Sequence, residues 1–325
     1  MRKLPVRIIA ILWALLALAA VGQAITEPQR APAATIGAAI DVQPPAGKDS
    51  VRFLVIGDSG TGDRAQTETG AQMWRAHAIF PYEFAIMLGD NLYGSERPQD
   101  FVAKFERPFK PLLDANIAFY AALGNHDDPN QRYYKNFGMG GKRYYTYQKK
   151  DVRFFALDSN YMDQDQQRWL EDELSKSNSK WKIAYFHHPL YSSAGGHGSS
   201  IDLRNVLEPI FVRYGVQVVF TGHDHVYERT KPQKGIYYFV AGSTGKLRPG
   251  DIGTTNFTAA SYDKGRAVLV AEVADDALFF QTVSEQGKVV DSGCIPRTAD
   301  AAAAKDSSRT RCPAPGANGA GGGTQ

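Results

Sequence analysis

The chain has 325 residues, of which 43% are hydrophobic, enough for one large domain or two modest ones with a full core. Its formal charge of +3 comes from Arg2, Lys3 and Arg7, and the rest of the chain holds 34 basic against 34 acidic residues. That balance gives no support to a nucleic-acid or membrane-surface partner.

The basic start is followed by an apolar stretch from Ile8 to Val21 and the small-residue ending Val21-Gly22-Gln23-Ala24. This is the pattern of a secretory signal peptide over residues 1–24, and the run is shorter than the roughly 20 residues of a spanning helix. The expected location is therefore secreted or periplasmic. Residues 25–50 carry Pro28, Pro32, Pro44 and Pro45 without periodicity and read as a linker. The ordered domain is expected over 51–295. A low-complexity tail fills 296–325, Gly- and Ala-rich from about 313. Cys294 and Cys312, in an exported chain, are candidates for a disulfide. Asn256-Phe257-Thr258 is a glycosylation sequon, meaningful only in a eukaryotic secretory pathway.

Inside the domain, apolar runs of strand length recur at Val51–Ile56, Phe84–Leu88, Ile117–Leu123, Val152–Leu157, Lys182–Phe186, Val216–Thr221 and Tyr237–Ala241. Helical patterns lie between them, at Glu68–Ala78, Asp100–Leu113, Asp163–Lys176 and Ile201–Tyr214. The second holds Pro108 and should kink or restart there. Val268–Val273, Ala277–Val283 and Lys288–Asp291 read as antiparallel strands closing a sheet edge. The alternation predicts an α/β fold with sheets buried on both faces.

Five of the runs end in residues that ligate metals: Gly57-Asp58, Gly89-Asp90-Asn91-Leu92-Tyr93, Gly124-Asn125-His126-Asp127, His187-His188-Pro189 and Gly222-His223-Asp224-His225. In open α/β sheets, ligands bind beyond the carboxyl ends of strands, so these residues can converge although far apart in sequence. Each motif alone is commonplace as a turn or cap; five at strand ends are not. Of the chain's seven histidines, only His77 lies outside these motifs and the loop after the fourth, and it reads as a helix-surface residue. Carboxylate, phenolate, amide and imidazole donors without thiolate suit hard-to-borderline metals, and the phenolate of Tyr93 suits a ferric ion.

These motifs, above all the Gly-Asp-x-x-Tyr form of the second, resemble the purple acid phosphatases of the small, tartrate-resistant type, within the calcineurin-like metallophosphoesterase superfamily, over about residues 51–285. The resemblance implies a four-layer α-β-β-α sandwich of two mixed sheets flanked by helices, with a dinuclear metal site at the strand carboxyl ends. It implies Fe(III) held by Asp58, Asp90, Tyr93 and His225, and a second divalent metal, Fe(II), Zn(II) or Mn(II), held by Asp90, Asn125, His187 and His223. It further implies hydrolysis of phosphate monoesters by a hydroxide activated at this centre. His126 and His197 are then the candidate proton donors or transition-state stabilisers, and Asp127 is expected to orient His126. His188, beside a ligand, is a candidate substrate contact or a structural residue. The expected partner is a small phosphorylated substrate, with no nucleic acid and no membrane after leader cleavage; oligomeric state is not legible. Phosphodiesterases and nucleotide pyrophosphatases of the superfamily share a similar cage but usually lack the tyrosine, and a non-catalytic phosphate-binding exported protein would usually have lost a ligand or His126. The tyrosines at 133, 134, 144, 145 and 147 allow a substrate-facing wall or packing against the sheet.

Overall fold

The computed structural model describes residues 49–274, 276–297 and 312. The expected leader, nearly all of the linker and the C-terminal tail, apart from 296, 297 and Cys312, lie outside these residues. Among the described residues, no helix is long and apolar enough to cross a membrane.

Among the described residues, thirteen strands and five α-helices follow in chain order: β1 (Val51–Ile56), α1 (Arg64–Ile79), β2 (Phe84–Met87), α2 (Pro98–Phe101), α3 (Lys110–Asp114), β3 (Ala118–Ala121), β4 (Tyr145–Lys149), β5 (Val152–Ala156), α4 (Gln164–Ser175), β6 (Trp181–Tyr185), α5 (Ile201–Tyr214), β7 (Val218–Thr221), β8 (Tyr227–Thr230), β9 (Tyr237–Ala241), β10 (Thr258–Tyr262), β11 (Ala267–Ala274), β12 (Ala277–Ser284) and β13 (Val289–Pro296). They form two mixed sheets, ordered β13-β12-β11-β1-β2-β3 and β10-β8-β9-β7-β6-β5-β4. β1, β2 and β3 run parallel, as do β5, β6, β7 and β9. The late strands add antiparallel at the β1 edge.

The sheets face each other across aromatic side chains. Phe53 and Phe84 of the first sheet meet Phe154 of the second, with ring centroids 5.2 and 5.4 Å apart in edge-to-face contact. Alternation along β5 sends Phe154 into this layer and Phe155 to the opposite face, where Leu170 and Leu174 of α4 and Leu207 and Phe211 of α5 cover the sheet. The α/β reading of the sequence and its sandwich of two flanked mixed sheets are therefore seen directly.

The helix starts follow local chemistry. Asp63 caps α1 by accepting from the Gln66 N–H at 2.9 Å, so the helix begins four residues earlier than its apolar pattern suggests. The helix expected over 100–113 is broken. After α2 the backbone widens into a π-type turn over Val102–Glu106, marked by Arg107 N–H to Val102 O at 2.9 Å. Pro108, without an N–H, ends it before α3.

Strands β4, β8 and β10 carry no expectation from the apolar runs. β4 settles the tyrosine-rich segment. Tyr145 is buried and meets the Tyr185 hydroxyl at 3.1 Å, Tyr147 stacks on Phe154 at 5.1 Å, and Tyr144 packs on Trp169. Packing, not a substrate wall, accounts for these rings; of the five tyrosines Tyr133 alone is largely exposed. Cys294 on β13 and Cys312 form a disulfide.

Phe154→Ala should cost about 3–5 kcal/mol of stability, the range for emptying an aromatic site in a packed core. Tyr133→Ala should stay within about 0.5 kcal/mol. Equilibrium urea denaturation of the two variants checks the contrast.

Candidate metal centre

β1, β2, β6 and β7 end beside one another, and the residue after each turn projects toward a common point. Asp58, Asp90 and His223 each follow a glycine and adopt positive φ, +54°, +51° and +71°. Non-glycine residues enter this region rarely and at a cost of about 1–3 kcal/mol, so three at one site mark a backbone bent to aim side chains. The approach is close enough to exclude a side chain at Gly124, where a Cβ would lie 2.1 Å from Asp90 Oδ1.

The seven predicted ligands come together in two groups. In the first, Tyr93 Oη lies 3.0 Å from Asp58 Oδ1 and 3.2 Å from His225 Nε2. Ligand atoms of Asp58, Asp90 and His225 all lie within 4.8 Å of one another. In the second, His187 Nε2 lies 2.9 Å from Asn125 Oδ1, 3.1 Å from His223 Nδ1 and 3.4 Å from Asp90 Oδ1. Asp90 belongs to both.

The donor set fits metal ions on its own chemistry. His187 Nδ1 lies 3.0 Å from the Leu88 carbonyl, which can only accept, so Nδ1 carries the proton and Nε2 presents its lone pair. That lone pair faces an amide oxygen and a carboxylate. Such an arrangement is repulsive unless a cation lies among the donors. Donors about 2.1 Å from one metal and near 90° apart sit about 3 Å from each other, which is the spacing found here.

The electrostatics agree. Burial, then the neighbouring Asp90, holds the Asp58 carboxyl well above its ordinary range. Burial, then Asp58 and Asp90, pushes the Tyr93 phenol far above 10, so without a cation Tyr93 keeps its proton and donates a hydrogen bond to Asp58. Burial, then the nearby histidines, pulls His223 down to about 2 and His187 well below its usual value. His225 is lowered by burial, with the charges of Arg248 and Lys246 adding to it.

Among the three residues expected in catalysis, His126 and His197 stand exposed on the open side. The His126 ring lies 5.1 Å from that of Tyr93, and its backbone N–H donates to Asp90 Oδ1 at 3.0 Å. The His197 ring covers that of His223 at 4.1 Å. Asp127 departs from expectation. Its oxygens accept from the backbone N–H groups of Asn91, Leu92 and Gly124 and from the side chains of Asn91 and Gln131, at 2.8–3.1 Å. None of these is the His126 ring. Asp127 ties the second motif to the third and fixes where Asp90 and Asn125 stand. Burial and then Asp90 raise it to about 8, and the backbone N–H groups of Gly124, Leu92 and Asn91 oppose that rise. His188 accepts or donates at Nδ1 with Ser159 Oγ at 2.8 Å, its ring 4.5 Å from that of His223. His77 is remote from the centre, between Trp74 and Tyr82.

Sequence reasoning missed the segment Gly242–Arg248. Lys246 N–H donates to Asp58 O and Arg248 N–H to His225 O, both at 3.0 Å. The segment is bonded to two ligand residues and carries two cations to the rim. Nothing in its spacing marks it, because it follows β9, a strand that ends in no ligand.

A model of the calcineurin-like phosphoesterase family matches residues 51–227. Purple acid phosphatase 17 of Arabidopsis thaliana is 27% identical over 249 residues, covering 65% of this chain and 73% of the relative. Tartrate-resistant acid phosphatase type 5 of Oryctolagus cuniculus is 24% identical over 243 residues, covering 62% and 74%. Among solved structures, purple acid phosphatase PPD1 from yellow lupin (Lupinus luteus) seeds superposes with a TM-score of 0.62 at 19% identity, covering 76% of this chain and 54% of that one. GAP50, described as the anchor in the inner membrane complex of Plasmodium, superposes with a TM-score of 0.67 at 18% identity, covering 76% and 89%.

In metal-free protein the buried imidazoles of His187 and His223 should each remove stability as pH falls below about 6.5, while the raised Asp58 and Asp127 carboxyls add stability over the same range. His187 and His223 stay neutral in the folded chain but take up protons when unfolded, so the unfolded state binds more protons there. The slope should reach about 1.4 kcal/mol per pH unit for each histidine. Thermal midpoints between pH 7 and pH 4 test it by difference: the midpoint of wild type relative to that of His187→Asn should fall as pH is lowered.

Proposed function

The chain belongs to the calcineurin-like phosphoesterase family, and we propose that within it this protein is an exported acid phosphatase that hydrolyses phosphate monoesters at a dinuclear centre. The observation that carries the reading is the pair of donor groups sharing Asp90, with a phenol in one of them. Asp58, Asp90, Tyr93 and His225 would hold the first metal, Fe(III) by the hardness of the phenolate. Asp90, Asn125, His187 and His223 would hold the second, Fe(II), Zn(II) or Mn(II). When bound, two such ions supply the charge that clamps phosphate oxygens and the acidity that makes water a nucleophile at mildly acid pH.

The chain's own residues do the rest. The donors on the floor are buried, Asp58, Asp90 and His187 almost fully, so substrate approaches from the side of Asn125, His126 and His197. His126, anchored through its backbone to Asp90, has a free ring at that opening and gives the leaving oxygen its proton. His197, laid over His223, borders the same opening and donates a hydrogen bond to the phosphate. Asp127 is a positioning residue: it keeps Asp90 and Asn125 in register and touches no reacting atom. The leader over residues 1–24 supports export.

Purified, oxidised, metal-replete protein should show a visible charge-transfer band that disappears in Tyr93→Phe. A band that persists in the variant, or no band at all, refutes ferric tyrosinate. Asp90→Ala and His223→Ala should each lower kcat/KM on p-nitrophenyl phosphate at least about 100-fold. The bis ester should be a poorer substrate than the monoester.

A further inference from the structure

Lys246 and Arg248 are not metal donors, yet the fold fixes both beside the centre. Their backbone N–H groups are bonded to the carbonyls of Asp58 and His225, so neither residue can swing away without moving a ligand. The Lys246 ammonium sits 4.5 Å from the centroid of the Tyr93 ring and, among the described residues, makes no hydrogen bond or ion pair. The Arg248 guanidinium lies against Gly196, where a Cβ would come within 1.5 Å of it, next to His197. Its carboxylate contact is Asp251, at 3.6 Å, too long for a hydrogen bond. Two cations at a rim, one half-buried and unpaired and one loosely paired, are a recognition element for negative charge beyond what the centre itself takes up. Guanidinium suits a planar two-point grip on phosphate, and ammonium a single strong contact.

We propose that Lys246 and Arg248 form a second anion subsite, which selects substrates whose scissile phosphate is linked directly to another phosphoryl group. Lys246 reaches over the ring of a ligand, so the second anion must be adjacent to the first and not at the end of a long spacer. The proposal rests on the phosphatase reading above and narrows it to terminal phosphates of diphosphates. In hydrolysis of ADP, the oxygen of one water bonds to the terminal phosphorus and the bridging P–O bond breaks. The electron pair stays on the oxygen of AMP, and AMP and orthophosphate leave with the water's protons shared between products and medium.

The test is the ratio of kcat/KM for ADP to that for AMP, compared between each variant and wild type. Metal content and thermal midpoint are verified for each variant. The ratio should fall at least about tenfold in Lys246→Gln and further in the Lys246→Gln/Arg248→Gln pair, and Lys246→Arg should retain it. A ratio within twofold of wild type in the double variant overturns the proposal, as does a Lys246→Arg variant that behaves like Lys246→Gln. Calorimetric affinities for methylenediphosphonate and methylphosphonate need no turnover. If wild type hydrolyses neither nucleotide nor p-nitrophenyl phosphate, the phosphatase reading fails, and those two affinities still decide the subsite: a diphosphonate preference lost in Lys246→Gln supports it, and an unchanged one overturns it.

Discussion

Asp90 stands between two sets of donors that repel one another unless cations lie among them. Its Oδ1 is 3.4 Å from the lone pair of His187, and its charge raises the carboxyl of Asp58 and the phenol of Tyr93. Without metal, the chain relieves this partly by leaving the proton on Tyr93 and the imidazoles neutral. The three positive-φ ligand positions add about 1–3 kcal/mol of backbone strain each. Metal ions that bind the folded chain alone recover these costs by linkage. A site so unfavourable when empty is a poor structural device and a good catalytic one.

The fold supplies the positions but not the function. β1 and β2 run parallel in one sheet and β6 and β7 in the other, and short turns after them bring the following residues to one place. GAP50 shares the fold at a TM-score of 0.67 and is described as an anchor. A sandwich of this shape is therefore compatible with different work. The donor groups carry the proposed reading here, since every residue expected as a ligand is brought to the site and the second group keeps an open side.

Legibility in the sequence followed the range of the physical signal. Strands buried on both faces leave continuous apolar runs, so seven were visible with ends shifted by a residue or two. Each ligand motif abuts such a run and was visible with it. β8 was hidden because Glu228 and Arg229 break its apolar pattern: Glu228 turns to Ser193 and Thr258, and Arg229 to Asp291. β4 was hidden because its tyrosines suit a loop as well as a strand. The partners of Asp127 lie as far away as Asn91, and its adjacency to His126 in sequence suggested the wrong neighbour. Lys246 and Arg248 were silent for the same reason: their meaning comes from Asp58, Tyr93 and Gly196, which only the folded chain brings near.

The His197 side of the rim is held by bonds independent of the floor. Glu228 accepts from the Ser193 N–H and hydroxyl at 2.7 Å and from Thr258 at 2.7 Å. The Gly195 N–H donates to Asp251 O at 2.8 Å, and Gly253 N–H to Ser193 O at 2.9 Å. The loop that carries His197 is thus fastened to the 251–258 segment, not to a metal ligand. Its contact with the ligand shell is the stacking of His197 on His223 and a long bond from the Gly198 N–H to Asp224. A loop fastened this way can change in length or sequence without moving Asp58, Asp90 or His187. Lys246 and Arg248 differ, since their backbone is bonded to ligand residues and only their side chains are free to vary. The proposed specificity can therefore be altered at this rim by side-chain replacement on the His225 side and by loop remodelling on the His223 side, while the strained, buried floor of donors stays fixed.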